Sequence, residues 1–386
     1  MSSKEPMQRT ESQDNRPRIA IVGPTPPYRG GISQYTVDLT ESLKALASVD
    51  VYSFSRQYPR LLYPGTYPTY EPTDFVGEFH YTLDSNNPLS WRSTANAIIA
   101  DSPEVVFINW WTLFWQPTFW YLTKRLQKAG ITVIFLCHNL VDHDASKLKR
   151  TLSTALLRAA DGYLVHSQLD AAKLAALVGE TKPIASKSLP SPTTLPQPTS
   201  HKVAKPRLEV LFAGFIRPYK GLDLLVDAYA SLPPNARDQI QLTVVGEVWG
   251  DKDDLIERLD QLNIRHDLRY VSDQELVNYI NEADLVVLPY KSASGSAVIP
   301  LAYHLQTPVL ATSVGGISDV VTADTTGWLV QPNSQDLAAA LQRITPEACA
   351  AMGESLSRWN AANTWDALAA TLLELAADAK AATTPG

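Results

Sequence analysis

Cysteine is scarce in this chain of 386 residues. Only Cys137 and Cys349 are present, and they lie far apart in the sequence. A disulfide framework or a cysteine-based zinc site needs cysteines in closely spaced groups. The sequence therefore argues against both kinds of site and favours a reducing compartment, so we expect a cytoplasmic protein.

Charge is also low, and no basic excess exists. The chain has 33 basic and 40 acidic residues, a formal net charge of -7, and only 19% charged residues. A nucleic-acid-binding protein usually shows a basic footprint, so no nucleic-acid partner is expected. The 45% of hydrophobic residues can form cores in two to three domains of about 150 residues each.

No long hydrophobic run is present. The most apolar stretch, residues 105–122, is interrupted by polar residues such as Asn109, Thr112 and Gln116. It falls short of the roughly 20 apolar residues of a membrane span. Residues 1–16 are polar, so we expect a flexible tail there rather than a signal peptide.

Short apolar runs alternate with helical patterns, which predicts parallel sheets with helices on both faces. The predicted strands are residues 18–22, 49–52, 105–108, 132–137, 162–166, 208–212, 241–245, 267–271, 285–289 and 308–312. Residues 188–200, rich in proline, serine and threonine, predict a linker. We therefore predict two Rossmann-like α/β domains, at 17–198 and 199–354, facing each other across a cleft. A helical segment at 355–386 is expected to pack back on the first domain.

Two loops have the composition of phosphate-binding loops. Gly30 and Gly31 follow the first strand and precede a helix for which Ser33 is a candidate cap. In the second half, Arg217 and Lys220 lie where a loop leads into a helix. Cations oppose the helix dipole there, which favours an anion bound between them. The alternative is two solvated charges on a turn.

The ordered motifs resemble those of retaining GT-B glycosyltransferases of glycosyltransferase family 4. The resemblance covers residues 18–377 and is strongest over 210–340. The matching motifs are Gly30-Gly31, Lys220-Gly221, Val245-Gly246-Glu247, Ala283-Asp284 with Pro289, and Pro308 with Val314-Gly315-Gly316.

This resemblance implies the GT-B architecture and a nucleotide-diphosphate sugar donor bound in the cleft, mainly by the second domain. It assigns the amides near Gly31, together with Arg217 and Lys220, to the donor diphosphate. It assigns the backbone around Tyr270 and Val271 to the base. The residues assigned to the donor sugar and phosphate are Ser294, Gly295, Ser296, Ala297 and Val298. A departing diphosphate gains charge, which such cations and amides stabilise.

The sequence departs from the family pattern at three positions. The family's two glutamates fall at Ala293 and Leu301, and its usual arginine falls at Phe215, with Arg217 as a stand-in. We interpret the chain as a divergent branch that holds the donor sugar through hydroxyls such as Ser294 and Ser296. A pseudo-enzyme is the alternative.

A strand-end histidine of the family, directed into the cleft, corresponds to His138, which is the candidate catalytic residue. His166, after the next strand, is expected to be structural. The triplets 142–144 and 251–253 have the Asp-x-Asp pattern of a metal site, but such short matches arise by chance. We therefore expect no metal and no cofactor.

Aromatic residues are dense between positions 110 and 121, which indicates either a core helix or a surface for an acceptor or a membrane interface. Residues 58–70 predict an irregular loop that could contribute specificity. The predicted partners are a nucleotide sugar and a glycan or lipid-linked acceptor, with peripheral association at the inner face of a membrane as a further expectation.

The leading interpretation is a metal-independent retaining hexosyltransferase in polysaccharide or glycoconjugate biosynthesis. Two alternatives stay open at this point. One is a non-catalytic subunit that binds nucleotide sugars or glycans, and the other is a GT-B sugar-nucleotide epimerase.

Overall fold

The computed structural model describes residues 16–28, 30–58, 79–140, 147–179, 181–200, 206–249 and 253–383. The predicted tail at 1–16, apart from Arg16, and nearly all of the predicted loop at 58–70 lie outside these residues. Within them, the chain forms two parallel sheets flanked by helices, which confirms the predicted α/β class with two Rossmann-like domains.

The first sheet has seven parallel strands in the order β3-β2-β1-β4-β5-β6-β7. Its strands are β1 (Arg18–Val22), β2 (Ser48–Arg56), β3 (His80–Asp84), β4 (Val105–Trp110), β5 (Thr132–Cys137), β6 (Gly162–Val165) and β7 (Ile184–Ser186). Alternate residues of β1 point into opposite cores: Ala20 and Val22 into one, Ile19 and Ile21 into the other. Burial on both faces explains why these strands are continuous apolar runs.

In the described residues of the first domain, five α-helices cover the first sheet. They are α1 (Gly31–Lys44), α2 (Pro88–Asp101), α3 (Gln116–Lys128), α4 (Lys147–Leu157) and α5 (Gln168–Val178). The predicted cap at Ser33 is wrong, because α1 begins two residues earlier. Its N-cap is Gly30, whose φ of 120° is open to glycine and strained for other residues.

The second sheet has six parallel strands in the order β10-β9-β8-β11-β12-β13. Its strands are β8 (Leu208–Ala213), β9 (Ile240–Val245), β10 (Arg265–Asp267), β11 (Leu285–Leu288), β12 (Val309–Thr312) and β13 (Gly327–Val330). The strand predicted at 267–271 is wrong, since pairing ends at Asp267. A capping box of Ser272 and Glu275 then begins the next helix.

The remaining helices follow in chain order. They are α6 (Leu222–Ser231), α7 (Pro234–Arg237), α8 (Asp253–Gln261), α9 (Asp273–Glu282), α10 (Val298–His304), α11 (Ile317–Val320), α12 (Ser334–Arg343), α13 (Pro346–Ala350), α14 (Gly353–Ala362) and α15 (Trp365–Thr383). The C-terminal helical stretch is therefore divided at residues 363–364. Helix α14 packs on α10 of the second domain, whereas α15 crosses back to α1 and β5 of the first.

Candidate functional site

The carboxyl edge of the second sheet is built by tight glycine turns. β8 leads into Gly214 and β9 into Gly246, both with positive φ, 115° and 142° respectively. A Cβ on Gly246 would lie 2.0 Å from the carbonyl oxygen of Gly214. The two loops are therefore in backbone contact, at the edge where parallel α/β sheets bind ligands.

Lys220 lies on this edge in a 3₁₀ turn, Pro218–Lys220. The following Gly221 has a φ of 66°, and a Cβ there would lie 1.9 Å from the carbonyl oxygen of Pro289. Glycine thus lets the turn press against the end of β11. The half-buried Lys220 ammonium donates to the hydroxyl of the buried Tyr290 at 3.0 Å.

Ser296 also contacts Tyr290, the partner of Lys220. Its Oγ lies 3.2 Å from Tyr290 Oη and accepts a hydrogen bond from the Val298 amide at 3.3 Å. The fold therefore brings together Lys220 and the segment 294–298, which the sequence analysis assigned to the diphosphate and the donor sugar. Tyr290, which connects them, was missed because nothing in the sequence relates it to Lys220, 70 residues earlier.

The positions of the family glutamates are apolar and buried. Ala293 is 8% exposed and Leu301 is 7% exposed, and both belong to one hydrophobic core of the second domain. Ser294, by contrast, reaches the other domain, where its hydroxyl donates to Asn139 Oδ1 at 2.9 Å. A serine hydroxyl thus stands at the domain boundary, beside a site without the paired carboxylates.

Arg217 is oriented by an aromatic ring. Its guanidinium carbon lies 3.9 Å from the ring centroid of Trp249, a cation–π contact. The Trp249 indole N–H in turn lies 3.4 Å from Glu247 Oε2, and Phe215 packs on the same ring. Arg217 is half-buried here, and its carbonyl oxygen accepts a hydrogen bond from the Lys220 amide at 2.9 Å. Trp249 is a further residue of this site that no motif in the sequence indicated.

Tyr270 and Val271 lie between β10 and α9. Tyr270 is 50% exposed, while Val271 packs partly against the second-domain core. The neighbouring Arg269 pairs with both Asp267 and Glu275, and hydrogen bonds from Arg269 and from Ser272 lower the pKa of Glu275 to about 2. The segment is thus held at the carboxyl end of β10, on the same sheet edge as Gly214 and Gly246.

The first domain presents the start of α1. A Cβ on Gly30 or Gly31 would meet no other atom of the described residues within 4 Å, so this part of the structure leaves space above them. The first amides of an α-helix have no partner within the helix and favour anions. The predicted glycine loop therefore has the space and the backbone donors that a phosphate group needs.

His138 follows β5 directly. Its backbone amide donates to the Trp110 carbonyl oxygen, and its Nε2 lies 2.7 Å from Asn109 Oδ1. The ring contacts Tyr35 edge-on at 4.6 Å and stacks on His166 at 5.6 Å between centroids. Burial, with His166 close by, holds the pKa of His138 well below its usual range, so the imidazole is neutral at pH 7.

His166 is anchored to the backbone. Its Nδ1 lies 2.9 Å from the Lys187 carbonyl oxygen, so this nitrogen carries the proton. Its Nε2 and the hydroxyl of Tyr35 are buried without a hydrogen-bond partner among the described residues. Burial lowers the pKa of His166 and raises that of Tyr35, so both groups are neutral at pH 7.

The two domains meet beside His138. Asn139 accepts from Ser294, and the Leu169 amide at the start of α5 donates to Asp319 Oδ2 at 2.9 Å. Gly316 lies so close to Ser167 that a Cβ would come within 2.6 Å of the serine Cβ. His138 and Ser294 therefore lie on facing surfaces of the two domains, with Asn139 between them.

Neither Asp-x-Asp triplet has both of its aspartates in the described residues. Asp142 and Asp144 lie outside them, as does Asp251. Among the residues with described positions, no group of three or more His, Cys, Asp or Glu side chains could hold a metal ion.

The aromatic cluster is divided between core and surface. Trp110, Trp115 and Phe119 are buried, whereas Phe114 is 38% exposed and Trp120 is 43% exposed. The core interpretation thus holds for the buried members, while an acceptor or membrane surface stays a prediction for the exposed ones. Of the helices in the described ranges, none is long and apolar enough to cross a membrane.

Comparisons with known proteins agree with this architecture. Residues 29–185 match the family model described as Glycosyltransferase Family 4, and residues 196–380 match the one described as Glycosyl transferases group 1. D-inositol 3-phosphate glycosyltransferase from Streptomyces scabiei is 34% identical over 181 residues, which are 43% of this chain and 40% of that protein. The chain thus matches about two fifths of the length of such curated relatives.

Solved structures match nearly the whole chain. Sucrose-phosphate synthase from Thermosynechococcus elongatus has a TM-score of 0.67 at 21% identity, covering 95% of this chain and 100% of its own. Anabaena HepE in complex with UDP-glucose has a TM-score of 0.68 at 16% identity, covering 92% and 99%. The chain has two parallel-sheet domains, each domain matches a glycosyltransferase family model, and the solved structures share the fold. The chain therefore belongs to the family 4-like glycosyltransferases of GT-B fold.

Proposed function

We propose that the protein transfers a hexosyl group from a nucleotide-diphosphate sugar to a glycan or lipid-linked acceptor, with retention of anomeric configuration and without a metal ion. The observation that carries the proposal is the convergence of Lys220, Tyr290 and Ser296 at the carboxyl edge of the second sheet. The resemblance to retaining enzymes supports retention. Polysaccharide or glycoconjugate synthesis is the setting that such an acceptor implies.

Each wall of the cleft has a distinct task in this proposal. Lys220 and the amides around Ser296 and Val298 stabilise the charge that develops on the leaving diphosphate, and the start of α1 offers further amides. Arg217 adds a second cation from its position on Trp249. The neutral His138 accepts a hydrogen bond from a hydroxyl of the sugar or the acceptor.

The apolar surroundings of Ala293 and Leu301 favour a second candidate function. A chain that binds the nucleotide sugar without turning it over would use the same diphosphate contacts. It would need no carboxylate at the donor sugar. This alternative and the epimerase are separated from the transferase by the same assay.

The test is a donor assay with UDP-glucose first, because solved structures of this fold hold UDP or UDP-glucose, followed by GDP- and ADP-sugars. We expect nucleoside diphosphate release that depends on an added acceptor, at an unchanged rate in EDTA. Loss of activity in EDTA that Mg²⁺ or Mn²⁺ restores would contradict the metal-free proposal. Binding without release would support the non-catalytic subunit, and acceptor-independent turnover would support the epimerase.

We also propose that the surface of α2 and α3 associates with an anionic membrane carrying the acceptor. Trp120 is exposed on α3, Leu89 on α2 is 76% exposed, and α3 contains Lys124, Arg125 and Lys128 without any acidic residue. This local excess of positive charge contrasts with the net charge of -7 for the chain. Exposed aromatics bordered by cations suit an anionic lipid surface.

Vesicle sedimentation tests this surface. Replacing both Trp120 and Lys128 with Ala should weaken binding to vesicles with anionic lipid at least fivefold, since each cation near such a surface contributes about 1 kcal/mol. Leu46→Ala, at a side chain that is 40% exposed just after α1, is the matched control. Equal binding of the double variant and the control would contradict this docking surface.

A further inference from the structure

The amide of Asn109 is fully buried, and its orientation is fixed by its neighbours. Asn109 Nδ2 lies 3.3 Å from the carbonyl oxygen of Val22 and 3.3 Å from Thr36 Oγ1. A backbone carbonyl only accepts hydrogen bonds, so the atom facing it must be the amide nitrogen. The amide oxygen therefore points the other way, to His138.

This orientation decides which nitrogen of His138 carries the proton. Asn109 Oδ1 can only accept, and it lies 2.7 Å from His138 Nε2, so Nε2 must donate. Because burial keeps the ring neutral, Nδ1 is left with its lone pair. His138 Nδ1 makes no hydrogen bond to any residue within the described ranges.

The amide of Asn109 fits here only because residue 23 has no side chain. Gly23, directly after β1, could not carry a side chain, because its Cβ would lie 2.2 Å from Asn109 Nδ2 and 2.9 Å from Thr36 Oγ1. Thr36 donates its own hydroxyl proton to the Ile32 carbonyl oxygen, so it accepts from Asn109. Three elements, β1, α1 and β4, thus hold the amide in one orientation.

Few titratable groups near His138 can affect its protonation state. Among the described residues, Tyr35 faces the ring from α1 and His166 from the end of β6, and both are neutral at pH 7. Cys137 precedes it in β5, where burial and the charge of Asp170 on α5 raise the pKa of the thiol. The contact with Asn109 is the one hydrogen bond to the imidazole ring in this part of the structure.

We propose that Asn109 is a positioning residue, which fixes His138 as the Nε2-protonated tautomer and so presents Nδ1 as a hydrogen-bond acceptor to the hydroxyl of a sugar or acceptor in the cleft. This inference rests on the site that the proposed function assigns to His138. It explains why the free ring nitrogen of His138 accepts a hydrogen bond from the substrate hydroxyl rather than donating one. Asn139, the next residue, touches Ser294 across the domain boundary, so the ring stands where the substrates would meet.

The first test needs no turnover and uses the wild-type protein. Proton–nitrogen correlation spectra of the protein with ¹⁵N-labelled histidine, compared with those of His138→Gln, assign the ring signals among the seven histidines. We expect a protonated Nε2 and a bare Nδ1 between pH 6 and 8. A protonated Nδ1, or an imidazolium at pH 7, would overturn the inference even if the protein is an active transferase.

The second test changes the charge at position 109. In Asn109→Asp a carboxylate faces Nε2–H and stabilises the imidazolium, so the pKa of His138 rises. Because the neutral ring is the form that accepts, the acidic limb of the kcat/KM profile should move up by at least one pH unit, while the rate at high pH recovers. Asn360→Asp is the control. Asn360 lies on α14, and its Nδ2 also donates to a carbonyl oxygen, that of Tyr303 on α10.

These two measurements separate the inference from the proposed function. If no turnover is found with any donor, the proposed function fails, and the spectra still decide the tautomer. If Asn109→Asp unfolds, the wild-type spectra remain decisive. An acidic limb that stays in place in a folded Asn109→Asp protein would show that Asn109 does not act through His138.

Discussion

Lys220→Ala should weaken the binding of UDP about 10- to 150-fold. A hydrogen bond to a charged partner contributes about 1.5–3 kcal/mol, and each 1.4 kcal/mol is a factor of ten in the dissociation constant. The ammonium is held in place by its hydrogen bond to Tyr290, whereas the second cation of the proposed site, Arg217, is held separately on Trp249. Because the proposed contact is with the diphosphate, calorimetry should give a similar loss for UDP and for the complete nucleotide sugar.

The matched control for Lys220 is Lys128→Ala, which removes an exposed lysine of α3 in the other domain. This variant should bind UDP like the wild type. If Lys220→Ala also binds UDP and turns over donor like the wild type, the diphosphate does not lie at the turn before α6. A loss with the nucleotide sugar alone would instead assign Lys220 to the sugar.

Trp365→Ala should destabilise the first domain by about 3–5 kcal/mol, the usual cost of removing a buried aromatic side chain. Trp365 is 6% exposed, and its ring lies 5.1 Å from that of Tyr35 on α1. Its indole N–H also donates to the Ser191 carbonyl oxygen at 2.7 Å, which ties the start of α15 to the linker. Both the packing and the hydrogen bond are lost in the variant.

Urea unfolding followed by circular dichroism measures this effect, with Trp120→Ala as the control of equal composition. Trp120 is 43% exposed, against 6% for Trp365, so its removal should lower the midpoint much less. A midpoint in Trp365→Ala that equals the control would show that α15 contributes little to the stability of the first domain.

The sheets could be predicted from sequence because their central strands are buried on both faces. β4 and β5 are buried along their whole length and therefore appear as uninterrupted apolar runs. β3 and β7 were missed, since most of their residues are only half-buried or exposed and the sequence contains polar residues there. Edge strands of this kind lack the pattern on which the prediction depends.

Lys220 and Ser296 could be proposed from the sequence because each belongs to a loop motif that is local in sequence, and both contact Tyr290 in the structure. The site was not predictable where distant strands meet. Asn109 was noted only as an interruption of an apolar stretch, although it is buried and bonded to β1, to α1 and to His138. No rule of local spacing connects residues that lie on neighbouring strands of a parallel sheet, because a helix separates them along the chain.

The crossing of α15 has a consequence for the order in which the molecule can be completed during synthesis. Leu368, Leu372 and Leu375 of α15 lie in the same core as Ile19 of β1 and Leu39 of α1. The ribosome makes β1 first and α15 only after the entire second domain. One apolar face of β1 and α1 therefore stays uncovered until the helix that begins at Trp365 has been synthesised. The core of the first domain is completed only after the second domain has been made.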